Sequence, residues 1–380
     1  MFEQVVKFIQ EIYKTNQFIP LHEPKFIGKE KEYLAQTIDS TFVSSVGEFV
    51  DKFETKLAEY TVSDKAVVVV NGTSALHLSL VLAGVNAGDY VLTQSLSFVA
   101  TCNAISYCKA EPIFIDVDKK TLGLSPSALE DWLEINAFID ELGQCKYKAN
   151  NRVIKACVPM HTFGHPLEVD KVLAVCDRWN IFLIEDAAES LGSLYKDMHT
   201  GTFGKLGALS FNGNKIITTG GGGALLCNEN YYIQGKHLST TAKIKDDIFF
   251  FHDQVGFNYR LPNLNAALGC AQIESIEFFL KQKRQLAKEY EQFFKDSNIR
   301  FFTEPKHCRS NYWLNTLIFD SDKEKNEFLL YTNDKKVMTR PVWTPMHKLP
   351  MFSDSICGKL TNTTWLEERI VNIPSSVRNN

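Results

Sequence analysis

One lysine of this 380-residue chain stands in an unusual setting. Lys215 lies in SFNGNKIITTGGGGALL, residues 210–226, among small hydrogen-bonding residues and just before four glycines. Most lysines are solvated surface residues. A lysine becomes a nucleophile when a low-dielectric or cationic setting lowers its pKa. The polar neighbours and the glycine run favour a reactive lysine in a loop over a solvated one.

Two carboxylates end an apolar run in IFLIEDAAES. Glu185 and Asp186 close a predicted strand, and ligands of doubly wound sheets bind at the carboxyl ends of strands. A buried carboxylate needs a cationic partner or hydrogen-bond donors. We therefore expect at least one of the two at the ligand edge of the sheet. The alternative is an aspartate that caps a helix.

An anion site is predicted where NGTS, residues 71–74, joins a strand to a helix. A helix N-terminus offers free N–H groups and a favourable dipole to an anion, and Gly72 permits close approach. A plain helix cap is the alternative, because Ser and Thr are common there. Together, an anion cradle, a strand-end carboxylate and a loop lysine are the parts of a pyridoxal phosphate site.

Alternating strands and helices must position these residues. Strands alternate with helices over some 150 residues that begin with KAVVVV at residues 65–70, which implies right-handed crossovers and a mainly parallel sheet with helices on both faces. We expect two further strands, GALSF and GALLC, to flank the glycines. The segment 137–152 is predicted to be a polar excursion from this pattern.

The chain is too long for one simple core. A long amphipathic helix is predicted over residues 273–295, with Ile273, Ile276 and Leu280 on or near one face. We therefore predict a large α/β domain over residues 1–270, including an N-terminal helical segment, and a smaller α+β domain over residues 271–380.

Composition excludes several classes of protein. With 41 basic and 45 acidic residues the net charge is −4, which does not favour nucleic acid or anionic lipid as a partner. No window holds the ~20 apolar residues of a membrane helix. Nine cysteines without a C-x-x-C pair indicate reduced thiols in a cytoplasmic protein. His161 and His165 form an H-x-x-x-H pair, but Gly164 and Pro166 break any helix there, so we expect no metal.

Several motifs together resemble one family. The sequence is similar to the DegT/DnrJ/EryC1/StrS nucleotide-sugar aminotransferases, which have the fold-type I α/β architecture, through the segments NGTSALHLSL, SFVATCNAI, EDAAESLGS, GALSFNGNK, TTGGGGALL and GFNYRLPNLNAALG. FIPLHEPKFIG and STFVSSVGEFVDKFE further resemble the branch that acts on UDP-4-keto-6-deoxy-N-acetylglucosamine, on the way to legionaminic acid or diacetylbacillosamine.

The resemblance implies roles around pyridoxal 5'-phosphate. Lys215 would bond covalently to the cofactor and then move protons, and Asp186 would pair with the pyridinium nitrogen. Phe98 would stack on the ring unless it is an ordinary core residue. The cofactor phosphate would be bound by small residues of two motifs, Gly72, Thr73, Ser74 and Ser210.

Further positions are implied with alternatives. Asn258 would reach the phosphate from a neighbouring subunit, making a homodimer with a composite active site. Glu189 takes the place where many relatives have Gln or His near the phenolic oxygen, so a protonated carboxyl or another donor is needed there. His347 and Arg260 would bind substrate, or else lie on the surface.

The implied reaction transfers the amino group of glutamate to C4 of a UDP-linked 4-keto-6-deoxy-N-acetylhexosamine. One alternative is a sugar 3-aminotransferase of the same family. Another is a regulatory protein that binds pyridoxal phosphate without turnover; a basic helix-turn-helix would be expected for it, and the sequence shows none.

Overall fold

The computed structural model of the chain describes residues 1–244, 246 and 248–378. Its α-helices are α1 (Phe2–Tyr13), α2 (Glu30–Asp39), α3 (Glu48–Thr61), α4 (Gly72–Leu82), α5 (Val99–Tyr107), α6 (Pro126–Asn136), α7 (Val169–Arg178), α8 (Glu229–Ser239), α9 (Asn263–Glu274), α10 (Ile276–Phe294), α11 (Asp322–Asp334) and α12 (Thr361–Glu367). Short 3-10 helices cover Thr162–Gly164, Met346–Lys348 and Pro350–Phe352.

The strands follow the same chain order. They are β1 (Lys65–Val69), β2 (Tyr90–Gln94), β3 (Glu111–Ile115), β4 (Ala137–Ile139), β5 (Cys145–Tyr147), β6 (Ile154–Val158), β7 (Phe182–Asp186), β8 (Leu194–Tyr195), β9 (Met198–His199), β10 (Leu206–Ser210), β11 (Gly223–Cys227), β12 (Lys243–Ile244), β13 (Phe251–His252), β14 (Arg300–Phe301), β15 (Cys308–Arg309), β16 (Asn315–Ile318), β17 (Arg340–Pro341), β18 (Ile356–Cys357) and β19 (Ile370–Ile373).

The largest sheet follows the order β1-β11-β10-β7-β6-β2-β3-β18. Neighbours from β10 to β18 pair in parallel, whereas β11 runs antiparallel to both β1 and β10. This is the mostly parallel sheet that the strand-helix alternation predicts, and β10 and β11 are the two strands expected on either side of the glycine run.

Helices cover both faces of this sheet, as β1 shows. Ala66 and Val68 belong to one buried cluster together with Phe53 of α3. Val67 and Val69 belong to another, together with residues of α4 and α5. Alternate side chains of a strand point to opposite faces, so a continuous apolar run is required when both faces are buried.

A smaller antiparallel sheet has the order β14-β16-β19-β17. Val5, Val6 and Ile9 of α1 share a buried cluster with Phe328 and Val371, so the N-terminal helix packs on this C-terminal sheet rather than on the large one. In the opposite direction, β18 joins the large sheet beside β3. The division at residue 270 stays a prediction, and these two segments cross it. An apolar helix face in the sequence indicates that this face is buried, but it does not indicate which element packs against it.

Two local predictions differ from the structure. The helix predicted over residues 273–295 begins at Ile276, because Ser275 leaves the helical region with φ −101° and ψ 1°. The apolar stripe continues across this one-residue break, so periodicity does not reveal it. The polar excursion 137–152 contains a hairpin of β4 and β5. None of the helices in the described ranges is long and apolar enough to cross a membrane.

Candidate active site

Strand pairing brings the three predicted features to one edge of the large sheet. Ala208 of β10 pairs with Asp186 at the end of β7. Gly223, at the start of β11, pairs with Ser210 on one side and Val69 on the other. The loops that carry residues 71–74, Asp186 and Lys215 therefore leave the sheet as neighbours.

The start of α4 forms a small cradle with the end of β10. The Asn71 side chain accepts a hydrogen bond from the Ser74 N–H at 2.8 Å, while N–H groups of a first helical turn lack carbonyl partners in their own helix. A Cβ added to Gly72 would lie 2.8 Å from Cβ and 3.1 Å from Oγ of Ser210. Any side chain at position 72 would fill this space. Thr73 is half-buried, and Ser74 is buried.

The glycine run allows a second close approach. A Cβ at Gly223 would lie 2.5 Å from the carbonyl carbon of Asn71 and 2.7 Å from the nitrogen of Gly72. β11 can therefore pass directly beside the start of α4 only with glycine at this position. The glycines after Lys215 thus serve the anion cradle as well as the loop.

Asp186 is buried at the end of β7, with 3% of its surface exposed. Thr101 donates a hydrogen bond to its Oδ2 at 2.6 Å, and the Ala188 N–H donates to its Oδ1 at 3.2 Å. Burial raises the pKa of Asp186, while these donors and the nearby Lys215 charge act in the opposite direction. Thr101 was not identified from the sequence, although it lies within the quoted motif SFVATCNAI.

Glu185, the other strand-end carboxylate, faces away from this edge. It accepts hydrogen bonds from the N–H groups of Gly201, Phe203 and Gly204 and lies 3.0 Å from Nε2 of His161. Its buried carboxylate is thus satisfied by the fold. The structure assigns the ligand edge to Asp186 alone of the pair.

The two histidines of the H-x-x-x-H pair have separate partners. His161 contacts Glu185, whereas Nδ1 of His165 lies 3.0 Å from Oγ of Ser310. Burial lowers the pKa of His165 to about 3. The pair therefore serves packing and hydrogen bonding on different sides of the loop.

Lys215 lies in the loop between β10 and β11 and points toward Glu189. Its Nζ is 3.3 Å from Oε1 of Glu189, and 14% of the lysine side chain and 1% of the glutamate side chain are exposed. Oε2 of Glu189 accepts a hydrogen bond from the Phe163 N–H at 2.9 Å. Burial raises the pKa of Glu189 to about 7, against the opposing effect of the Lys215 charge. A carboxyl that titrates near neutrality thus lies beside the candidate nucleophile.

The face of Trp313 lies beside the Lys215 amine, a contact that was not identified from the sequence. The Lys215 Nζ lies 3.9 Å from the centroid of the Trp313 ring. The two residues are almost one hundred positions apart, so no local pattern links them.

Phe98 and His347 lie at the same edge of the sheet. Phe98 precedes α5, keeps 48% of its surface exposed, and meets Trp343 edge-on at 6.1 Å between centroids. It is therefore not an ordinary core residue. Nδ1 of His347 lies 2.7 Å from Oγ of Ser95, directly after β2. Burial and the neighbouring Lys348 lower the pKa of His347.

Asn258 and Arg260 lie together outside this cluster. The Arg260 guanidinium donates to Oδ1 of Asn258 at 3.3 Å, and Arg260 is bridged to Val69 at the end of β1. Asn258 is exposed. Its predicted contact with the cofactor of a neighbouring subunit stays a prediction.

Comparison with known proteins identifies the family. Residues 24–379 match the DegT/DnrJ/EryC1/StrS aminotransferase family. The chain belongs to this family. It is 36% identical over 344 residues to GDP-perosamine synthase of Escherichia coli O157:H7, covering 89% of this chain and 88% of the relative. It is also 36% identical over 339 residues to the putative pyridoxal phosphate-dependent aminotransferase EpsN of Bacillus subtilis (strain 168), covering 89% and 84%.

A solved structure shares the fold. The putative sugar aminotransferase Spr1654 of Streptococcus pneumoniae, in its PLP form, superposes with a TM-score of 0.82 at 20% identity, covering 94% of this chain and 93% of that one. The fold-type I prediction is confirmed. The chain is a sugar aminotransferase, and pyridoxal phosphate is its cofactor, as the sequence predicted. The narrower resemblance to the UDP-sugar branch is not supported by these relatives.

The residues present fit this cofactor. The Gly72–Ser210 cradle, which a Cβ would fill, suits a phosphate at a helix N-terminus. Asp186 is a buried carboxylate close enough to Lys215 for the two charges to interact. An anion cradle, a carboxylate and a lysine amine are the three groups that pyridoxal phosphate requires.

Proposed function

We propose that this chain transfers the amino group of glutamate to C4 of a nucleotide-linked 4-keto-6-deoxy sugar. The observation that carries the proposal is the Lys215 amine, held 3.3 Å from Glu189 at the same edge of the large sheet as Asp186 and the phosphate cradle. When bound, pyridoxal phosphate supplies an aldehyde carbon and an electron-withdrawing ring.

In this proposal the amine of Lys215 removes the α-proton of the amino donor and later returns a proton to C4 of the sugar. Asp186 would pair with the ring nitrogen of the bound cofactor, and Thr101 and the Ala188 N–H would stabilise its negative charge. Glu189 takes up or gives back a proton beside Lys215, since its carboxyl titrates near neutrality. Gly72, Thr73, Ser74 and Ser210 would hold the phosphate, and the half-exposed Phe98 would contact the ring.

The nucleotide of the sugar has two candidates. GDP is favoured because relatives named GDP-perosamine synthase, from three organisms, are 32–36% identical to this chain over most of its length. UDP, with a 4-keto-6-deoxy-N-acetylhexosamine, is favoured by FIPLHEPKFIG and STFVSSVGEFVDKFE. We propose the GDP-linked sugar as the first substrate to test. His347, fixed to Ser95 at the ligand edge, is the proposed sugar contact, and Arg260 the proposed contact for a negatively charged substrate group.

We also propose a homodimer in which Asn258 completes the partner's site. The segment that precedes Asn258 exposes large apolar side chains: Ile248, Phe249, Phe250, Phe251 and Val255 are 60–88% exposed. Contiguous apolar surface of this kind marks interfaces. The cysteines are free thiols, which agrees with a reducing compartment, so we propose a cytoplasmic location.

The decisive experiment is a substrate panel. The purified protein is incubated with glutamate and with 4-keto-6-deoxy sugars linked to GDP or UDP, together with a 3-keto sugar. Products are analysed by mass spectrometry and NMR. Amination at C4 of the GDP sugar supports the proposal. Amination of the UDP sugar alone assigns the other nucleotide, and amination at C3 alone contradicts the C4 proposal.

A further inference from the structure

The Lys215 amine is held from two sides by buried groups. Glu189 lies on one side at 3.3 Å, and the face of the Trp313 ring lies on the other, 3.9 Å from Nζ to the ring centroid. Trp313 is only 4% exposed. A cation is attracted to the face of an indole ring, more strongly where water is excluded. The ring therefore limits the directions in which the lysine side chain can point.

The same ring also fixes the backbone that precedes the lysine. Nε1 of Trp313 donates a hydrogen bond to the carbonyl oxygen of Asn214 at 2.6 Å. Asn214 is the residue directly before Lys215, and the Lys215 N–H donates to the Asn212 carbonyl at 3.0 Å. Trp313 thus holds both ends of the lysine, its backbone through the N–H and its amine through the ring face.

One asparagine supports both neighbours of the amine. Oδ1 of the buried Asn311 accepts a hydrogen bond from the Trp313 N–H at 2.7 Å. Its Nδ2 donates to the Glu189 carbonyl at 2.8 Å. Because one amide holds the backbone of both Trp313 and Glu189, the distance between them is fixed by the fold.

The other side of the Trp313 backbone is held as well. Nζ of the buried Lys283 donates to the Trp313 carbonyl at 3.2 Å and to the Ser375 carbonyl at 2.5 Å. The indole therefore stands on a rigid support made by α10 and the C-terminal segment. A side chain so firmly held can orient a flexible lysine.

We propose that Trp313 is a positioning residue that aims the Lys215 amine at the aldehyde carbon of pyridoxal phosphate and receives the amine again whenever turnover releases it. This inference rests on the proposed role of Lys215. Trp313 belongs to the C-terminal part of the chain, and this role lets it act on a lysine that the large sheet carries.

The first test follows covalent attachment rather than turnover. Cofactor-free protein is mixed with pyridoxal phosphate, borohydride is added at timed intervals, and the cofactor fixed on the Lys215 peptide is measured by mass spectrometry. We expect Trp313→Leu to slow attachment about tenfold, and Trp313→Phe, which keeps a ring face but loses the N–H, to restore most of the rate. Trp365→Leu is the matched control, since Lys119 lies 4.1 Å from its ring, and should attach cofactor at the wild-type rate.

A second readout is tryptophan emission. Attachment of the cofactor at Lys215 should bring its ring system close to Trp313, so this indole should contribute to the loss of emission on binding, together with Trp343, which meets Phe98. Trp313→Phe should therefore reduce that loss, and Trp365→Phe should not. This measurement stands even if Trp313→Leu fails to fold.

The outcomes distinguish a failure of the proposed function from a failure of the role of Trp313. If the wild type fixes no cofactor on Lys215, the proposed function fails. If the wild type fixes it, while Trp313→Phe and any folded Trp313→Leu attach cofactor within twofold of the wild-type rate and the loss of emission is unchanged, only the role of Trp313 is overturned. If Trp313→Leu and Trp313→Phe slow attachment equally, Trp313 is still a positioning residue. It then acts through the hydrogen bond from its indole N–H to the Asn214 carbonyl.

Discussion

Nζ of Lys215 lies 3.3 Å from Oε1 of Glu189, and both side chains are largely withdrawn from water. The pKa of Glu189 is raised to about 7 because burial disfavours the carboxylate. Near neutral pH, Glu189 therefore exists in both protonation states. The charge of Glu189, beside the Lys215 amine, can therefore change when its carboxyl gains or loses one proton.

Replacing Lys215 tests the nucleophile. We expect Lys215→Ala to abolish transamination and to leave pyridoxal phosphate bound without a covalent link, because Lys215 supplies the amine that lies beside Glu189 and the Trp313 ring. Borohydride trapping and product analysis measure the two effects. Lys205→Ala, an exposed lysine just before β10, is the control and should keep full activity. Wild-type turnover by Lys215→Ala would refute the assignment.

Replacing Asp186 tests the charge opposite the ring nitrogen. Asp186→Asn keeps the shape and an acceptor for Thr101 but removes the charge. A hydrogen bond to a charged group contributes about 2 kcal/mol, so we expect cofactor affinity to fall about 30-fold and proton removal to slow. Equilibrium titration with pyridoxal phosphate measures the affinity. An unchanged affinity together with an unchanged rate would remove Asp186 from the site.

Thr101→Val tests the support of that charge. The Thr101 hydroxyl lowers the pKa of Asp186, so its loss should raise this pKa further and favour the protonated acid. The loss of cofactor affinity should then be larger at the lower of two pH values than at the higher. The same loss at both pH values would show that the hydroxyl acts on shape and not on ionisation.

Glu189→Gln tests the buried carboxyl through stability. The pKa of Glu189 is higher in the folded chain, about 7, than in the unfolded chain, so the folded state prefers the protonated form. The contribution of Glu189 to stability is therefore complete at low pH and is lost as the pH rises through 7. Glutamine is neutral at every pH. The free energy of unfolding of Glu189→Gln minus that of the wild type should increase by about 2–3 kcal/mol between pH 5 and pH 8.

Urea unfolding at the two pH values measures this difference. The other carboxyls are present in both proteins, so their contributions to the pH dependence cancel. A difference that is the same at pH 5 and pH 8 would mean that Glu189 does not titrate in this range.

Gly72→Ala tests the phosphate cradle. The added Cβ would lie 2.8 Å from Cβ of Ser210, so we expect affinity for pyridoxal phosphate to fall at least about tenfold. Pyridoxal, which lacks the phosphate, should attach to Lys215 as in the wild type. Gly213→Ala is the control, since a Cβ there meets no atom within 4 Å. Equal weakening of both compounds would place the phosphate elsewhere.

Local patterns were sufficient for much of the site. Asp186 ends β7, the 71–74 turn follows β1, and Lys215 lies in the loop after β10; the carboxyl ends of parallel strands share one edge. The pattern did not distinguish Glu185 from Asp186. Only the loop of residues 201–204, whose N–H groups satisfy Glu185, shows which carboxylate is free to act.

The same division appears in the fold. The buried face of α1 packs on the C-terminal sheet, although the sequence predicted only an N-terminal helical segment without its partner. Ser275 interrupts a stripe that continues on both sides. In both cases the sequence states which face is apolar, while the partner depends on contacts between distant segments.

The sequence by itself determined the alternating α/β architecture, the family and the cofactor, and it singled out Lys215 as the candidate nucleophile, because each of these depends on residues close together along the chain. The surroundings of that lysine were decided only by tertiary structure. Glu189 and Trp313 come from distant segments and meet at Lys215, Asn311 holds the backbone of both, and burial raises the pKa of Glu189.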